Sequence, residues 1–123
     1  MVEFTIPTRP RPKQRPRVGR YGNVYTPQQT KDYEDMVALY ARQAGAKLTE
    51  EPIAIEAIFY FKDKRIPDLD NCAKALLDGL QGIAYKNDKQ VVEQHFFLDY
   101  SEDQRTEVKI WKKGKEQETC VNS

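Results

Sequence analysis

The sequence predicts a single α+β domain, a mixed sheet of about four strands with two helices packed on one face. Three observations lead there. A chain of 123 residues is long enough for one hydrophobic core and short for two. Apolar residues alternate with a period of two in four stretches and recur with a helical period in two others. The elements run strand, arm, helix, strand, helix, strand, strand, with no internal repeat, heptad or linker between them.

Val2, Phe4 and Ile6 alternate with Glu3 and Thr5, which predicts a short first strand. Residues 7–25 follow as an exposed basic arm, where Pro7, Pro10, Pro12 and Pro16 remove backbone donors and favour extended backbone. Its end, Tyr21-Gly22-Asn23-Val24-Tyr25, carries a turn-forming Gly-Asn between two tyrosines. Thr26-Pro27 reads as an N-cap followed by proline in the first helical position. The stripe Tyr33, Met36, Val37, Tyr40, Ala41 and Ala44 then predicts a helix ending near Gly45.

Ile53, Ile55, Ala57, Phe59 and Phe61 share one face of the next strand, with Ala54, Glu56, Ile58 and Tyr60 on the other. A second helix has the stripe Leu69, Ala73, Leu76, Leu77 and Leu80, with Gly82 placed to end it. Strands at about 91–98 and 105–112 follow, the latter with Val108 and Ile110 on one face and Glu107, Lys109 and Trp111 on the other. Residues 113–123 read as a flexible tail.

Composition narrows the function classes. Hydrophobic residues make up 39% and charged residues 32%, as in a globular domain with a well-charged surface. No apolar run reaches the roughly 18–20 residues of a membrane span, and the N-terminus lacks the pattern of a signal peptide, so a cytoplasmic protein is expected. Cys72 and Cys120 are far apart and His95 is the only histidine, which argues against zinc and for a buried thiol and a tail thiol. The net charge of +1 hides a division: residues 1–31 hold seven Lys or Arg against Glu3 alone, and the remainder holds 13 basic against 18 acidic residues. One end attracts polyanions while the rest gathers carboxylates, as a metal-dependent enzyme acting on nucleic acid requires.

The acidic residues with a local rationale are Asp68 and Asp70. Side chains two apart in a regular helix diverge, yet Pro67 sets a bend before the first turn that can bring both carboxylates to a helix N-terminus. Two or three such hard oxygens suffice for Mg²⁺, which keeps several waters. The plain alternative is an ordinary capping aspartate. Lys74 falls one turn beyond Asp70, as an i,i+4 ion pair or as a contact to a reacting phosphate. Asp88, in the turn Asn87-Asp88-Lys89-Gln90, is either a third ligand reaching back to the helix start or a routine turn residue. Lys13, Arg15, Arg17 and Arg20, with Lys74, are the candidate contacts to a nucleic-acid backbone, and Tyr21 and Tyr25 are candidates for base stacking.

Together these residues resemble a known family. Asp68-Leu69-Asp70-Asn71-x-x-Lys74-x-x-x-Asp78, then Asn87-Asp88-x-Gln90-Val91, is similar to the RusA family of Holliday junction resolvases. Pro10-x-Pro12-Lys13-x-Arg15-Pro16-Arg17, Tyr25-Thr26-Pro27 and Tyr33-Glu34 resemble its phage and Gram-positive branch. The resemblance spans about residues 2–112. It implies a homodimeric, Mg²⁺-dependent endonuclease, with Mn²⁺ as a possible substitute, that nicks paired strands of branched DNA at four-way junctions. It places catalytic, metal-binding aspartates on Asp68, Asp70 and Asp88 and a functional lysine on Lys74. Asn87 stands where the family often has an acid, and Leu98 where members often carry a basic residue. Two other readings stay open: a broader nuclease acting on flaps, forks or RNA, and a non-catalytic DNA-binding protein.

Overall fold

The structure is a computed structural model that describes residues 1–25 and 27–113. The expected cap at Thr26 and residues 114–123 of the expected tail, with Cys120, lie outside the described residues, whereas Lys113, expected to open the flexible tail, is tied down by its N–H bond to the Pro52 carbonyl at 2.9 Å. The elements are β1 (Val2–Ile6), β2 (Arg17–Val18), β3 (Val24–Tyr25), α1 (Gln28–Gln43), β4 (Ile53–Phe61), α2 (Leu69–Leu80), β5 (Val91–Tyr100) and β6 (Arg105–Lys112). Four strands form one sheet in the order β1-β6-β4-β5, and β2 pairs with β3 as a separate ribbon. β4 and β5 are parallel, because α2 carries the chain back between them, while the other neighbours are antiparallel. The expected α+β architecture is the observed one.

Register explains the core. Phe4 lies opposite Val108, and Val108 opposite Ala57, which faces Phe96 on β5, so one face of the sheet is continuous and apolar. Both helices cover that face: Tyr33, Val37 and Ala41 of α1 and Cys72, Ala75, Leu76 and Leu80 of α2 join Ile55, Phe59 and Phe61 in one buried cluster. β5 runs two residues beyond its expected end because its parallel register with β4 continues to the pair Phe61 and Tyr100.

The helices differ from expectation at their ends and on their faces. Pro27 is itself the N-cap of α1, and its carbonyl accepts the N–H groups of Thr30 and Lys31. Ala44 is exposed, because α1 stops at Gln43 and Gly45 turns the chain with φ +93. In α2, Ala75 and Gly79 are buried although neither belongs to the expected leucine stripe. α2 packs against α1 as well as the sheet, so more than one of its faces needs small or apolar residues.

The arm is only partly exposed. Pro10 is buried, and Arg9 donates to Gln104 Oε1 and to the Arg65 carbonyl, both at 2.6 Å, while its guanidinium lies 4.9 Å from the centre of the Phe61 ring. The freely exposed stretch therefore narrows to the region around the β2–β3 ribbon, whose turn uses Gly22 at φ +82.

Candidate active site

Pro67 and the extended backbone of Asp68 (φ −60, ψ 134) set the start of α2. The Asp68 carbonyl accepts the N–H groups of Asn71 and Cys72 at 3.1 and 3.2 Å. Its side chain makes no capping hydrogen bond, so the ordinary use of an aspartate at this position is not the one adopted. Asp68 and Asp70 are both exposed at this helix end, where unpaired N–H groups and the helix dipole give a positive partial charge. Lys74 Nζ stands 3.7 Å from Asp70 Oδ2, with the two side chains 61% and 81% exposed. A pair so open contributes a few tenths of a kcal/mol at most, so its ammonium can turn to another anion at small cost.

Asp88 opens a single 3-10 turn, Asp88–Gln90, held by a reciprocal cap. Asn87 Oδ1 accepts the Lys89 N–H at 3.0 Å, and Gln90 Oε1 accepts the N–H groups of Asn87 and Lys86 at 2.9 Å each. Gln90 Nε2 donates in turn to the Thr49 and Glu51 carbonyls. Asn87 is therefore a capping residue here, and an amide serves that role as well as a carboxylate. Gln90, read in the sequence only as part of a motif, is the residue that locks this turn. The Asn-x-x-Gln spacing of a capping box was the signal that could have found it.

This turn lies at the far end of α2 from Asp68. Val91 pairs with Ile53 at the start of β4, whereas the loop to Asp68 leaves β4 at Phe61. The Tyr85 hydroxyl donates to the Leu77 carbonyl at 2.5 Å and also lies within reach of the Asp88 carboxylate. Burial, then the nearby charges of Asp88 and Asp78, push the Tyr85 hydroxyl above its ordinary value. Asp88 thus sits near the level of residues 77 and 78, about 12 Å along the helix axis from Asp70 at 1.5 Å per residue. Among the described residues no three His, Cys, Asp or Glu side chains come together closely enough to hold a metal ion. Asp70 is brought to Lys74, and Asp88 to Tyr85, but Asp88 does not reach back to the helix start within one chain.

The basic candidates divide as sharply. Lys13 Nζ lies 2.8 Å from Asp78 Oδ2 and 3.1 Å from Glu34 Oε2, and hydrogen bonding to Asp78 first, with Glu34 adding, raises its pKa against the opposing effect of burial. Arg15, Arg17 and Arg20 are exposed on and beside the ribbon and have no salt bridge among the described residues. Tyr21 and Tyr25 are also exposed there, 89% and 44%. A cationic ribbon with open aromatic rings fits a nucleic-acid backbone with unstacked bases.

For Mg²⁺ the donor set fits in kind: the three aspartates supply hard anionic oxygens on exposed side chains, and Cys72, the nearby soft donor, is buried. No helix among the described residues is long and apolar enough to cross a membrane. A family model described as endodeoxyribonuclease RusA matches residues 7–111. The chain is also 28% identical over 134 residues to the uncharacterized protein YqaN of Bacillus subtilis (strain 168), covering 89% of this chain and 94% of that protein.

Proposed function

The chain belongs to the RusA endodeoxyribonuclease family, and from that premise we propose that it is a Mg²⁺-dependent nuclease that resolves four-way DNA junctions by paired nicks, acting as a homodimer. The observation that carries the reading is the pair of exposed carboxylates at the start of α2, with Asp68 not used as a cap and Lys74 one turn beyond Asp70.

Asp68, Asp70 and Asp88 are the residues to hold the cation. Bound there, Mg²⁺ would supply Lewis-acid stabilisation of the phosphate and lower the pKa of an attacking water. Lys74, leaving its weak pairing with Asp70, would neutralise charge on the scissile phosphate. Arg15, Arg17 and Arg20 would grip the backbone on either side of the branch, and Tyr21 and Tyr25 would stack on bases unpaired there.

The separation of Asp88 from Asp68 along α2 supports the dimer on physical grounds. A four-way junction requires two nicks, which a two-fold enzyme supplies from two equivalent sites. With Asp88 held at the other end of α2 by its capping box, its route to the acidic helix start is through a second copy. Each site then takes Asp68 and Asp70 from one protomer and Asp88 from its partner.

Two measurements on a synthetic four-way junction test this. Asp68→Asn should lower nicking in Mg²⁺ by about 10²-fold or more; an unchanged rate rules out the assignment. Mixing Asp68→Asn with Asp88→Asn should restore a single nick per junction, because the mixed dimer contains one intact shared site. No restoration, with subunit exchange verified, means that the aspartates act within one chain.

A further inference from the structure

The arm has two anchors in the body of the protein, and the second is built around one lysine. The Lys13 N–H donates to the Asn71 carbonyl at 2.9 Å, and its ammonium is shared between Asp78 and Glu34. Residue 13 therefore grips α2 at two points about two turns apart and α1 at a third. The next residue continues the attachment, Gln14 N–H to Thr30 Oγ1 at 3.4 Å. The Lys13 side chain is 29% exposed and those of Glu34 and Asp78 are 23% and 36%, so these pairs are less screened than the open Asp70–Lys74 pair.

Charge decides between the two roles open to this lysine. Lys13, Glu34 and Asp78 together carry −1, so a phosphate approaching the trio meets net repulsion. An ammonium has three donors, and two already bond to carboxylates in charge-assisted contacts. The single donor left over could meet a phosphate only beside both carboxylates, where their charge repels it. The arginines four and seven residues further on have no such partners among the described residues.

We propose that Lys13 is a positioning residue for cleavage: it clamps the arm to the flank of α2 and fixes Asp78, so that the DNA-gripping ribbon beyond it is held at a set place relative to the acidic helix start. Asp78 follows Leu77, whose carbonyl accepts the Tyr85 hydroxyl, so the same clamp braces the helix where the loop to the Asp88 turn meets it. The proposal rests on the nuclease reading above and deepens it by giving Lys13 a role within the protein rather than at the DNA.

The test uses the full chain as wild type, Lys13→Met, Lys13→Arg and Asp78→Asn, with three measurements on each. Amide hydrogen exchange of residue 13 reads the clamp, junction binding against salt reads phosphate contacts, and single-turnover nicking at saturating enzyme reads positioning. Lys13→Met and Asp78→Asn should speed exchange at residue 13 by about tenfold or more. Lys13→Met should leave the slope of log affinity against log salt unchanged, yet slow nicking by about 10- to 100-fold. Lys13→Arg should recover most of the rate.

A slope reduced by about one unit in Lys13→Met, with nicking at saturation intact, makes Lys13 a phosphate contact and overturns the proposal. A Met variant that melts at a lower temperature but nicks at the wild-type rate also overturns it. Wild-type chain that nicks no junction removes the nuclease reading and the positioning role with it, and exchange at residue 13 still decides the clamp.

Discussion

Cys72 and Tyr33 show how single side chains tie this fold to pH. Cys72 is fully buried, and burial pushes its thiol from an ordinary 9 up to about 12; burial likewise pushes the Tyr33 hydroxyl from 10 up to about 12. Both groups release a proton more easily when unfolded. Their contribution to stability is therefore complete below about pH 9 and is lost as pH rises from there toward 12. Urea midpoints should be flat between pH 7 and 8.5 and fall above 9, and Cys72→Ala should remove the first part of that fall. A midpoint constant to pH 11 would contradict the burial of both groups. At this scale the sequence was partly legible. A capping box was readable in the Asn87-to-Gln90 spacing, and a buried thiol was expected at Cys72. That Asp68 leaves its carboxylate uncapped was not readable, since capping and non-capping rotamers share one sequence.

Between the helices, packing is set by a glycine that helical propensity alone would replace. A Cβ at Gly79 would lie 2.8 Å from Val37 Cβ and 3.1 Å from the Glu34 carbonyl oxygen, so α1 and α2 approach too closely for alanine. Propensity favours Gly79→Ala by about 1 kcal/mol, while overpacking costs about 1–3 kcal/mol. The expected net result is destabilisation by about 1 kcal/mol, measured by urea denaturation. The contact also bears on function, since the turn of α1 that would have to shift carries Glu34, a partner of Lys13. Alternation in β4 and the leucine stripe of α2 made these elements legible. The burial of Ala75 and Gly79 was not, because a single stripe describes a helix covered on one side and α2 is covered on more.

Over the whole molecule, the +6 charge of the first 31 residues resolves into two populations. Arg9 and Lys13 are bound to the protein's own acceptors, while Arg11, Arg15, Arg17, Arg20 and Lys31 are exposed. Arg15→Glu with Arg17→Glu should therefore weaken junction binding by at least about 10²-fold at 100 mM salt without moving the thermal midpoint, read by fluorescence anisotropy and calorimetry. Affinity that survives the double reversal would mean that DNA is held elsewhere. The sequence by itself determined the fold class, the bounds of the main strands and helices to within a few residues, and the family, because these follow from periodicity and from motifs read along the chain. Tertiary structure decided which charges remain available and which carboxylates can meet. Lys13 was indistinguishable from its basic neighbours until α1 and α2 placed Glu34 and Asp78 around it. Asp88 stands apart from Asp68 and Asp70 within one chain because α2 is a rigid rod between the helix start and the turn that holds Asp88.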